Sequence, residues 1–458
     1  MLKFIFIFIS ILIILLQSKE SCRSKLKRFE GKQFIFIVFA VLKRHYPNFN
    51  DLLKALPDHR KRPTYNVAEI IIAGLMMFVF KRGAKKHADQ MFTDSFEDNY
   101  FKLFGMRLPV METVNLFLKK LPPEELEKLK HILVKQLVEK RVFDKYRFKG
   151  RLVVAVDGTG IFSFDKEPFP GCPYKTSKKG KKTWQAGLLE AKIICSNGFS
   201  ISMETEWYKN SDNIEEKQDC EQKAFVRLAE KLKQNYPRLA IIIVADSLYP
   251  NDTFFTICHK NNWRYILTFK EGSLKTVWQE VMLLYPLEEE NHSMVRHQHK
   301  KYSETTMFVN GIEYKKHTLN WCEYIRSYIG KQQKQERFVH ISDIRISKEN
   351  VWDISFYGRL RWKIENEGFN TQKNGGYNLQ HKYSEKNFTA MQNYYQLLQI
   401  GHLINQLTEK LQKVKDKLKI SGRTIKSIWE DSIASMLKET IHYNEAMESF
   451  IKLKQLRY

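Results

Sequence analysis

The sequence predicts a mixed α+β or α/β protein, in which helices flank a mixed sheet and an all-α region precedes it. Residues 28–150 carry apolar side chains at helical spacing, whereas β-branched, strand-like runs begin at Arg151. Residues 217–270 then alternate between helix-like and strand-like runs, which is typical of a sheet covered by helices. With 458 residues, 43% of them hydrophobic, the chain can bury the cores of two or three domains.

The amino-terminal region is predicted to be helical throughout. Four segments show helical periodicity, at 34–46, 66–81, 111–121 and 123–141. Pro122 and Pro123 separate the last two segments, and Pro123 suits the first turn of a helix, where no backbone N–H is needed.

From Arg151 the sequence predicts a sheet. One strand is expected within 151–160, and 187–208 predicts two more, joined by a Ser-Asn-Gly turn. The elements expected next are an amphipathic helix over 217–236, an apolar strand within 238–251, a helix over 252–261 and a strand over 264–270.

The rest of the chain is expected to interrupt the core and then complete it. Residues 271–348 break into short alternating stretches, which predict a β-rich insertion rather than a continuation of the core. Helical patterning resumes over 349–410. The expected parts are a leader over 1–27, a helical region over 28–150, a core over 151–270 and 349–410 around the insertion, and a helical basic tail over 411–458.

Residues 4–16 make the leader apolar. The run has the length of a signal-peptide core and is shorter than the roughly 20 apolar residues that span a membrane. No small-residue cleavage site follows it. We expect a start codon assigned too far upstream or a buried helix; a membrane or signal segment is the alternative.

The charge limits the classes of partner, and the cysteine content limits the kinds of disulfide or zinc site. Lysine and arginine number 76 against 51 aspartates and glutamates, a formal net charge of +25. Such a surplus favours nucleic acid or an acidic membrane face and disfavours an enzyme of small neutral metabolites. The six cysteines form no Cys-x-x-Cys pair, which excludes a cysteine zinc knuckle or disulfide scaffold and fits a reducing cytosol.

Two aspartates are predicted to end apolar strands. Asp157 follows residues 151–156, and Asp246 follows 241–245. Because strand ends border the ligand crevice of an α/β sheet, both carboxylates are expected to converge on a hard cation such as Mg²⁺. The structural alternatives are an Asp-Gly turn at Asp157 and a helix N-cap at Asp246.

Glu365 is the third acidic candidate. Arg361 precedes it by four residues and shares its helix face, so an exposed ion pair is the structural alternative. Glu367 lies about 200° around an α-helix from Glu365, so both cannot point into one site. We favour Glu365 because Ile364 and Phe369 place it beside the buried stripe.

In combination, these motifs resemble the insertion-sequence DDE transposases. DGT after the first strand, ADSLY after a later one and Tyr357, Arg361, Glu365 and Lys373 on a helix are similar to the group with a Tyr-Arg-Glu-Lys signature. The segments CPYKTSKKGKKTWQAGLLEAKI, KQDCEQKAFVRLAEKL and IENEGFNTQKNGGYNLQHKYS also resemble blocks of such transposases. The resemblance covers roughly residues 60–410.

The resemblance implies a ribonuclease-H-like core that moves the element encoding it by cut-and-paste transposition. It implies Asp157, Asp246 and Glu365 as the catalytic ligands of two Mg²⁺ ions, for which Mn²⁺ can substitute. The implied partner is double-stranded DNA, both the terminal inverted repeats and the target, bound by a homodimer without a small-molecule substrate. The expected protein is cytoplasmic and nucleoid-associated, and its residues 28–150 are expected to bind DNA.

The resemblance also implies that Tyr357, Arg361 and Lys373 contact DNA near the scissile phosphate. Two spacings depart from the family pattern. Three residues separate Tyr357 from Arg361 where the family usually has two, and seven separate Glu365 from Lys373 where it has six. The departures weaken the assignment of Tyr357 and Lys373 and leave Arg-x₃-Glu intact.

Basic and aromatic residues add candidates for DNA contact. A loop expected beside Asp157 suits a phosphate clamp, with a solvated surface as the alternative. Its lysines are Lys175, Lys178, Lys179, Lys181 and Lys182. Trp321, Trp352 and Trp362 can stack on an unpaired base, but we expect burial in the core for each. Trp362 is the one that its neighbours expose most to the site, and it is the tryptophan candidate for DNA contact.

Other functions stay open. A nuclease on the same core would use the same carboxylates and metals for hydrolysis alone, and a decayed transposase would bind DNA without activity. The helical region and the β-rich insertion favour the transposase, and the intact carboxylate triad favours an active enzyme. A membrane-anchored protein rests only on residues 4–16.

Overall fold

The computed structural model describes residues 29–210, 218–297, 302–328 and 334–458. The predicted leader, 1–27, lies outside these ranges and stays a prediction. Within them, no helix is both long enough and apolar enough to cross a membrane.

The helices and strands are numbered in chain order. The α-helices are α1 Gly31–His45, α2 Phe49–Lys54, α3 Val67–Val79, α4 Lys85–Met91, α5 Asp94–Phe104, α6 Met111–Leu118, α7 Pro123–Glu139, α8 Glu221–Asn235, α9 Asp252–Lys260, α10 Lys275–Leu284, α11 Val351–Arg359, α12 Thr371–Asn374, α13 Phe388–Glu409, α14 Gln412–Ser421, α15 Ile425–Lys438 and α16 Tyr443–Lys452. The strands are β1 Leu152–Phe164, β2 Tyr174–Thr176, β3 Lys182–Ile194, β4 Ser200–Trp207, β5 Ile241–Ala245, β6 Arg264–Thr268, β7 Ser293–His297, β8 Tyr302–Tyr314, β9 His317–Tyr328 and β10 Gln335–Ser342.

The four helices predicted before Arg151 are confirmed as α1, α3, α6 and α7. Helix α7 begins at Pro123, as expected for proline in a first turn. Helix α3 begins with a capping box, in which the Asn66 side chain accepts from the Glu69 N–H and the Glu69 carboxylate accepts from the Asn66 N–H.

The chain divides into two compact units. The helical unit combines the described residues up to Phe49 with Asp89–Val110 and Ile404–Tyr458, and the sheet unit combines Asn50–Ala88 with Met111–Leu403. The helices before Arg151 are therefore shared between the two units.

Helices α1 and α15 pack closely in the helical unit. The Phe34 ring meets the Trp429 ring edge to face, with centroids 4.9 Å apart. A Cβ at Gly31 would lie 2.3 Å from the Asp431 backbone, so only glycine permits this approach. The buried Asn99 amide on α5 donates to the carbonyls of Met436 and Glu439 and so fixes the end of α15.

In the described part of the sheet unit, ten strands form one mixed sheet. Their order is β2-β3-β1-β5-β6-β10-β9-β8-β7, and β4 also pairs with β3. The pairs β1–β5 and β5–β6 are parallel, and the other pairs are antiparallel. This confirms a mixed sheet with helices, and the Ser-Asn-Gly turn joins β3 to β4 with Gly198 at φ 96°.

The segment 271–348 is β-rich as predicted, but its expected separation from the core is wrong. Strand β10 pairs directly with β6, and β9, β8 and β7 follow outward, so these strands extend the central sheet. The alternation of apolar and polar residues predicts that these segments are strands. Which strand each one pairs with depends on packing.

Candidate active site

Asp157 and Asp246 leave the same edge of the sheet. Strands β1 and β5 pair in parallel until Ala155 meets Val244, and each aspartate lies two residues beyond that last pair. Strand β1 does not end at Asp157 as predicted, because it stays paired with β3 as far as Phe164. The parallel partner β5 therefore ends near Asp157, whereas β1 itself continues beyond it.

Neither structural alternative for the aspartates describes what the structure shows. Asp157 and Gly158 lie within the β1–β3 ladder, so they form no turn. Asp246 accepts from the N–H of Leu248 at 2.8 Å, while the N-cap of α9 is Asn251. Asp246 therefore orders the turn after β5 and does not cap the helix.

Arg361 brings Glu365 to Asp157. The Arg361 Nη1 lies 2.7 Å from the Glu365 Oε1 and 3.6 Å from the Asp157 Oδ2. Arg361 is only 7% exposed, and its Nε has no hydrogen-bond partner among the described residues. The predicted i,i+4 pair exists, but its guanidinium is buried and bridges two carboxylates, whereas the Glu365 side chain is 36% exposed.

The helix that carries Glu365 is not a regular α-helix. Leu360 and Arg361 form a tight turn after α11, and Ile364–Asn370 is a π-helix. Glu367 binds Lys363 with 2.7 Å between its Oε1 and the lysine Nζ. The two glutamates therefore pair with different cations.

Burial and crowding of negative charge dominate the electrostatics. Burial, the largest effect, and the nearby carboxylates of Glu365, Glu221 and Asp246 together raise the pKa of Asp157 to about 7, although the Arg361 guanidinium lowers it. Burial and Asp246 also raise the pKa of Glu221. These four carboxylates share one electrostatic environment.

Glu221 was not predicted as a site residue. It begins α8, where a glutamate ordinarily needs no explanation beyond the favourable helix dipole. The available signal was its place in KQDCEQKAFVRLAEKL, immediately before an amphipathic helix.

The donor types at this edge fit a hard divalent cation. Carboxylate oxygens are the ligands that Mg²⁺ prefers, and the one bridging arginine leaves the cluster short of positive charge. Across the described residues, however, no three His, Cys, Asp or Glu side chains are grouped so that they could hold a metal ion. Here the Arg361 guanidinium joins Asp157 to Glu365.

A cavity of about 470 Å³ opens beside the carboxylates and includes Asp246, Arg361 and Trp362 in its wall. Its other cationic and aromatic lining residues include Lys270, Trp278, Arg337, Phe338 and Arg359. Cations and flat rings next to acidic side chains suit a phosphate-bearing, partly unstacked nucleic acid.

No protein-family model matches this chain, and no match is found among curated proteins.

Tyr357 does not join the carboxylates. Its ring stacks on Phe148, with centroids 4.4 Å apart, and Phe148 precedes the start of β1. Asp157 lies further along the same strand. Lys373 follows the π-helix in α12 and is half-buried.

The three tryptophans differ in exposure. Trp321 is fully buried, as expected. The expected burial is wrong for Trp352, which is 44% exposed and stacks on Phe356, and for Trp362, which is 50% exposed and lies under the Arg361 guanidinium.

The lysine loop is an exposed β-hairpin, formed by β2, its turn and the start of β3, which we call the basic hairpin. Lys175, Lys178 and Lys179 point into solvent, Lys181 pairs with Asp165, and Lys182 lies over the Tyr174 ring. The hairpin continues from the part of β3 that pairs with Phe164, seven residues beyond Asp157. At about 3.3 Å per residue it begins about 23 Å along the strand from Asp157, and not directly after it as predicted.

Proposed function

We propose that the chain is a DNA transposase of the DDE type. It would cleave the ends of its element and transfer the freed 3′-OH into target DNA. The observation that carries the proposal is the arrangement of Asp157, Asp246, Glu365 and Arg361 at the edge where β1 and β5 stop pairing.

The strand arrangement supports a ribonuclease-H-like core. Antiparallel strands β1, β3 and β4 come first, and β5 and β6 then extend the sheet in parallel on the other side of β1. Helices α8 and α9 precede β5 and β6. The succession of three antiparallel strands and then two parallel strands with helices agrees with that core.

The candidate carboxylates have the roles of metal ligands in this proposal. Asp157, Asp246 and Glu365 would hold two Mg²⁺ ions, or Mn²⁺, which when bound activate the attacking oxygen and stabilise the leaving oxygen of an in-line displacement. Arg361 would exchange its carboxylate contacts for a DNA phosphate, to which a guanidinium can donate two parallel hydrogen bonds. The exposed Trp362 ring would stack on a base beside that phosphate.

Water attack on the phosphodiester cleaves the bond to the 3′ oxygen and leaves a 3′-OH on the element. That hydroxyl attacks a target phosphodiester, so one P–O bond forms as another breaks, and no energy source is consumed. Neither the hydrolysis nor the strand transfer needs a covalent bond between protein and DNA.

The π-helix explains one departure from the family spacing. Its hydrogen bonds run from i to i+5 instead of i+4, so one turn takes about one residue more than an α-helical turn. Glu365 and Lys373 are separated by one residue more than in the resembled family, and most of Ile364–Asn370 lies between them. In this proposal the wider π-helical turn accommodates the extra residue.

Double-stranded DNA is the partner that the charge supports. The formal net charge is +25, and the basic hairpin extends from the same long strands that carry Asp157. A homodimer on DNA and a cytoplasmic, nucleoid-associated location belong to the same proposal.

Cleavage and strand transfer on DNA carrying the element ends test this function. Asp157→Ala, Asp246→Ala and Glu365→Ala should each abolish cleavage and leave end binding intact. Glu367→Ala is the matched control, because Glu367 binds Lys363, and it should cleave normally.

Three outcomes separate the alternatives. Cleavage without strand transfer would indicate a nuclease, and end binding without cleavage by the wild type would indicate an inactive remnant. Loss of cleavage in Glu367→Ala but not in Glu365→Ala would show that the wrong glutamate was assigned.

A further inference from the structure

A fully buried lysine lies against the π-helix that carries Glu365. Lys192, on β3, is 0% exposed, and its Nζ lies over the Phe369 ring, 4.9 Å from the ring centroid. A Cβ built on Gly368 would lie 3.6 Å from the same Nζ and 2.9 Å from the Ser200 Oγ. Glycine therefore lets the π-helix approach this lysine and the start of β4 closely.

Hydrogen bonds extend the contact into the next helix. The Lys192 Nζ donates to the Gln399 Oε1 at 3.1 Å, and the same oxygen accepts from the Gln372 Nε2 at 2.8 Å. The Gln399 Nε2 donates in return to the Gln372 Oε1 at 3.2 Å. Gln372 is fully buried in α12, which directly follows the π-helix, and it precedes Lys373. Lys192 is thus connected to both parts of the segment 364–374.

The β1–β3 ladder places Lys192 beside the strand that carries Asp157. Lys192 pairs with Ala155, and Glu190, two residues earlier, pairs with Asp157. Because directly opposite residues and residues two apart share one face of a sheet, Lys192 and Asp157 project from the same face. The lysine therefore joins the segment 364–374 to the pair of strands that holds Asp157.

The stability of the fold does not explain a charged side chain at this position. Lys192 and Glu190 are both 0% exposed, yet the Lys192 Nζ lies 3.9 Å from the Glu190 Oε2, too far for a hydrogen bond. The Glu190 Oε1 instead accepts from the hydroxyls of Thr205 and Tyr395. Burial lowers the pKa of Lys192 to about 8, an effect that Glu190 opposes and Lys130 reinforces. Since apolar side chains can replace such a buried pair without loss of stability, the ammonium is better explained by the geometry that it imposes.

We propose that Lys192 is a positioning residue, which holds the π-helix against β3 so that the Arg361–Glu365 pair meets Asp157. Lys192 touches neither DNA nor the reacting atoms, because it is fully buried. The inference rests on the proposed function for its effect on cleavage, and it adds a residue that the Tyr-Arg-Glu-Lys signature does not contain.

Hydrogen–deuterium exchange of the full chain without DNA, followed by mass spectrometry over 364–374, tests the hold on this segment. Lys192→Met keeps the length of the side chain and removes its hydrogen bond to Gln399. We expect exchange over 364–374 to quicken about 10- to 100-fold, as for the loss of one hydrogen bond to a charged group. Lys130→Met is the matched control. Lys130 is equally buried on α7 but donates to two hydroxyls of β4, so exchange over 364–374 should stay at the wild-type rate.

A double variant separates positioning from charge balance. Lys192→Met leaves the buried Glu190 charge without its cation, so thermal unfolding should show a loss of stability. In Lys192→Met/Glu190→Gln both charges are absent, so most of that stability should return. Exchange over 364–374 should stay fast in the double variant. Its cleavage of element-end DNA should be about 100-fold slower than in the wild type, as for a site displaced by about 1 Å, with end binding unchanged.

The outcomes distinguish this inference from the proposed function. Wild-type exchange and cleavage in the double variant would show that Lys192 only balances the charge of Glu190, and would refute the positioning role. Wild-type exchange over 364–374 in Lys192→Met would refute it as well, and neither result affects the transposase proposal. If the wild type cleaves no element-end DNA, the proposed function fails, whereas fast exchange in Lys192→Met but not in Lys130→Met would still support the hold on the π-helix. Should Lys192→Met not fold, the double variant supplies both measurements.

Discussion

Replacing Asp157 with asparagine should stabilise the metal-free protein at neutral and alkaline pH. Its carboxylate is only 14% exposed and lies among other carboxylates. The rise of its pKa from 3.8 to about 7 corresponds to about 4 kcal/mol of unfavourable free energy for ionising Asp157 in the folded chain. Asparagine avoids that cost, and Arg361 keeps its contact with Glu365.

The sign of the pH dependence follows from the raised pKa. Well below its ordinary pKa of 3.8, the aspartate is protonated whether the chain is folded or unfolded, so it imposes no penalty. As the pH rises toward 7, the unfolded chain ionises first, and the wild type loses up to about 4 kcal/mol of stability. Asp157→Asn lacks this loss, so its advantage should be small at pH 4.5 and largest at pH 8.

Unfolding by urea in EDTA, followed at pH 4.5, 6, 7 and 8, measures this advantage. Asp165→Asn is the matched control: Lys181 lowers the pKa of the exposed Asp165, so removing its charge should bring no gain at pH 8. Mg²⁺ should stabilise the wild type at pH 8 and narrow its difference from Asp157→Asn. The reasoning is refuted if Asp157→Asn is less stable than the wild type at pH 8, or if the difference is independent of pH.

Three further changes test other parts of the molecule. Asn99→Ala should destabilise the helical unit by about 1–3 kcal/mol in thermal or urea unfolding, because it removes the amide that donates to the buried Met436 carbonyl and the part-buried Glu439 carbonyl; Asn99→Asp should not restore both bonds. Joint replacement of Lys178 and Lys179 by alanine should lower DNA affinity and reduce the slope of log affinity against log salt by about two; an unchanged slope in a salt titration would show that the hairpin does not contact phosphate. Tyr357→Phe should retain cleavage and stability, because its ring supplies the stack on Phe148; a large fall in the cleavage rate would instead support a direct role of the hydroxyl on DNA.

Local patterns in the sequence were sufficient for most elements of the fold. Helix α7 carries its start signal at Pro123, and the Ser-Asn-Gly turn fixes the β3–β4 hairpin because Gly198 accepts a positive φ. The pairing of β10 with β6 was not predictable, because either edge of a sheet offers the same backbone groups to a new strand. Partner choice there depends on contacts far apart in sequence.

The residues of the candidate site could be predicted where their type and spacing alone indicate their chemistry. Asp157, Asp246 and the Arg361–Glu365 pair were found in this way, and the structure brings them to one edge. Glu221 was missed because a glutamate at a helix start has a sufficient local explanation. Its proximity to Gly158 arises only when α8 packs on the sheet.

Because β1 and β3 are long and paired, they fix the distance between the basic hairpin and Asp157 for any duplex that contacts the hairpin. The two strands are paired from Val154 to Phe164, with one irregularity between Gly160 and Phe162, so the hairpin cannot move along the strand axis independently of Asp157. Its offset of about 23 Å equals about seven base pairs at roughly 3.4 Å each. Inserting two residues into each strand preserves the alternation of side chains and should move any phosphates that the hairpin contacts by about two base pairs relative to the carboxylates. In that case the length of the strands, rather than the recognition of bases, would set the distance between the contacted phosphates and the cleaved phosphodiester.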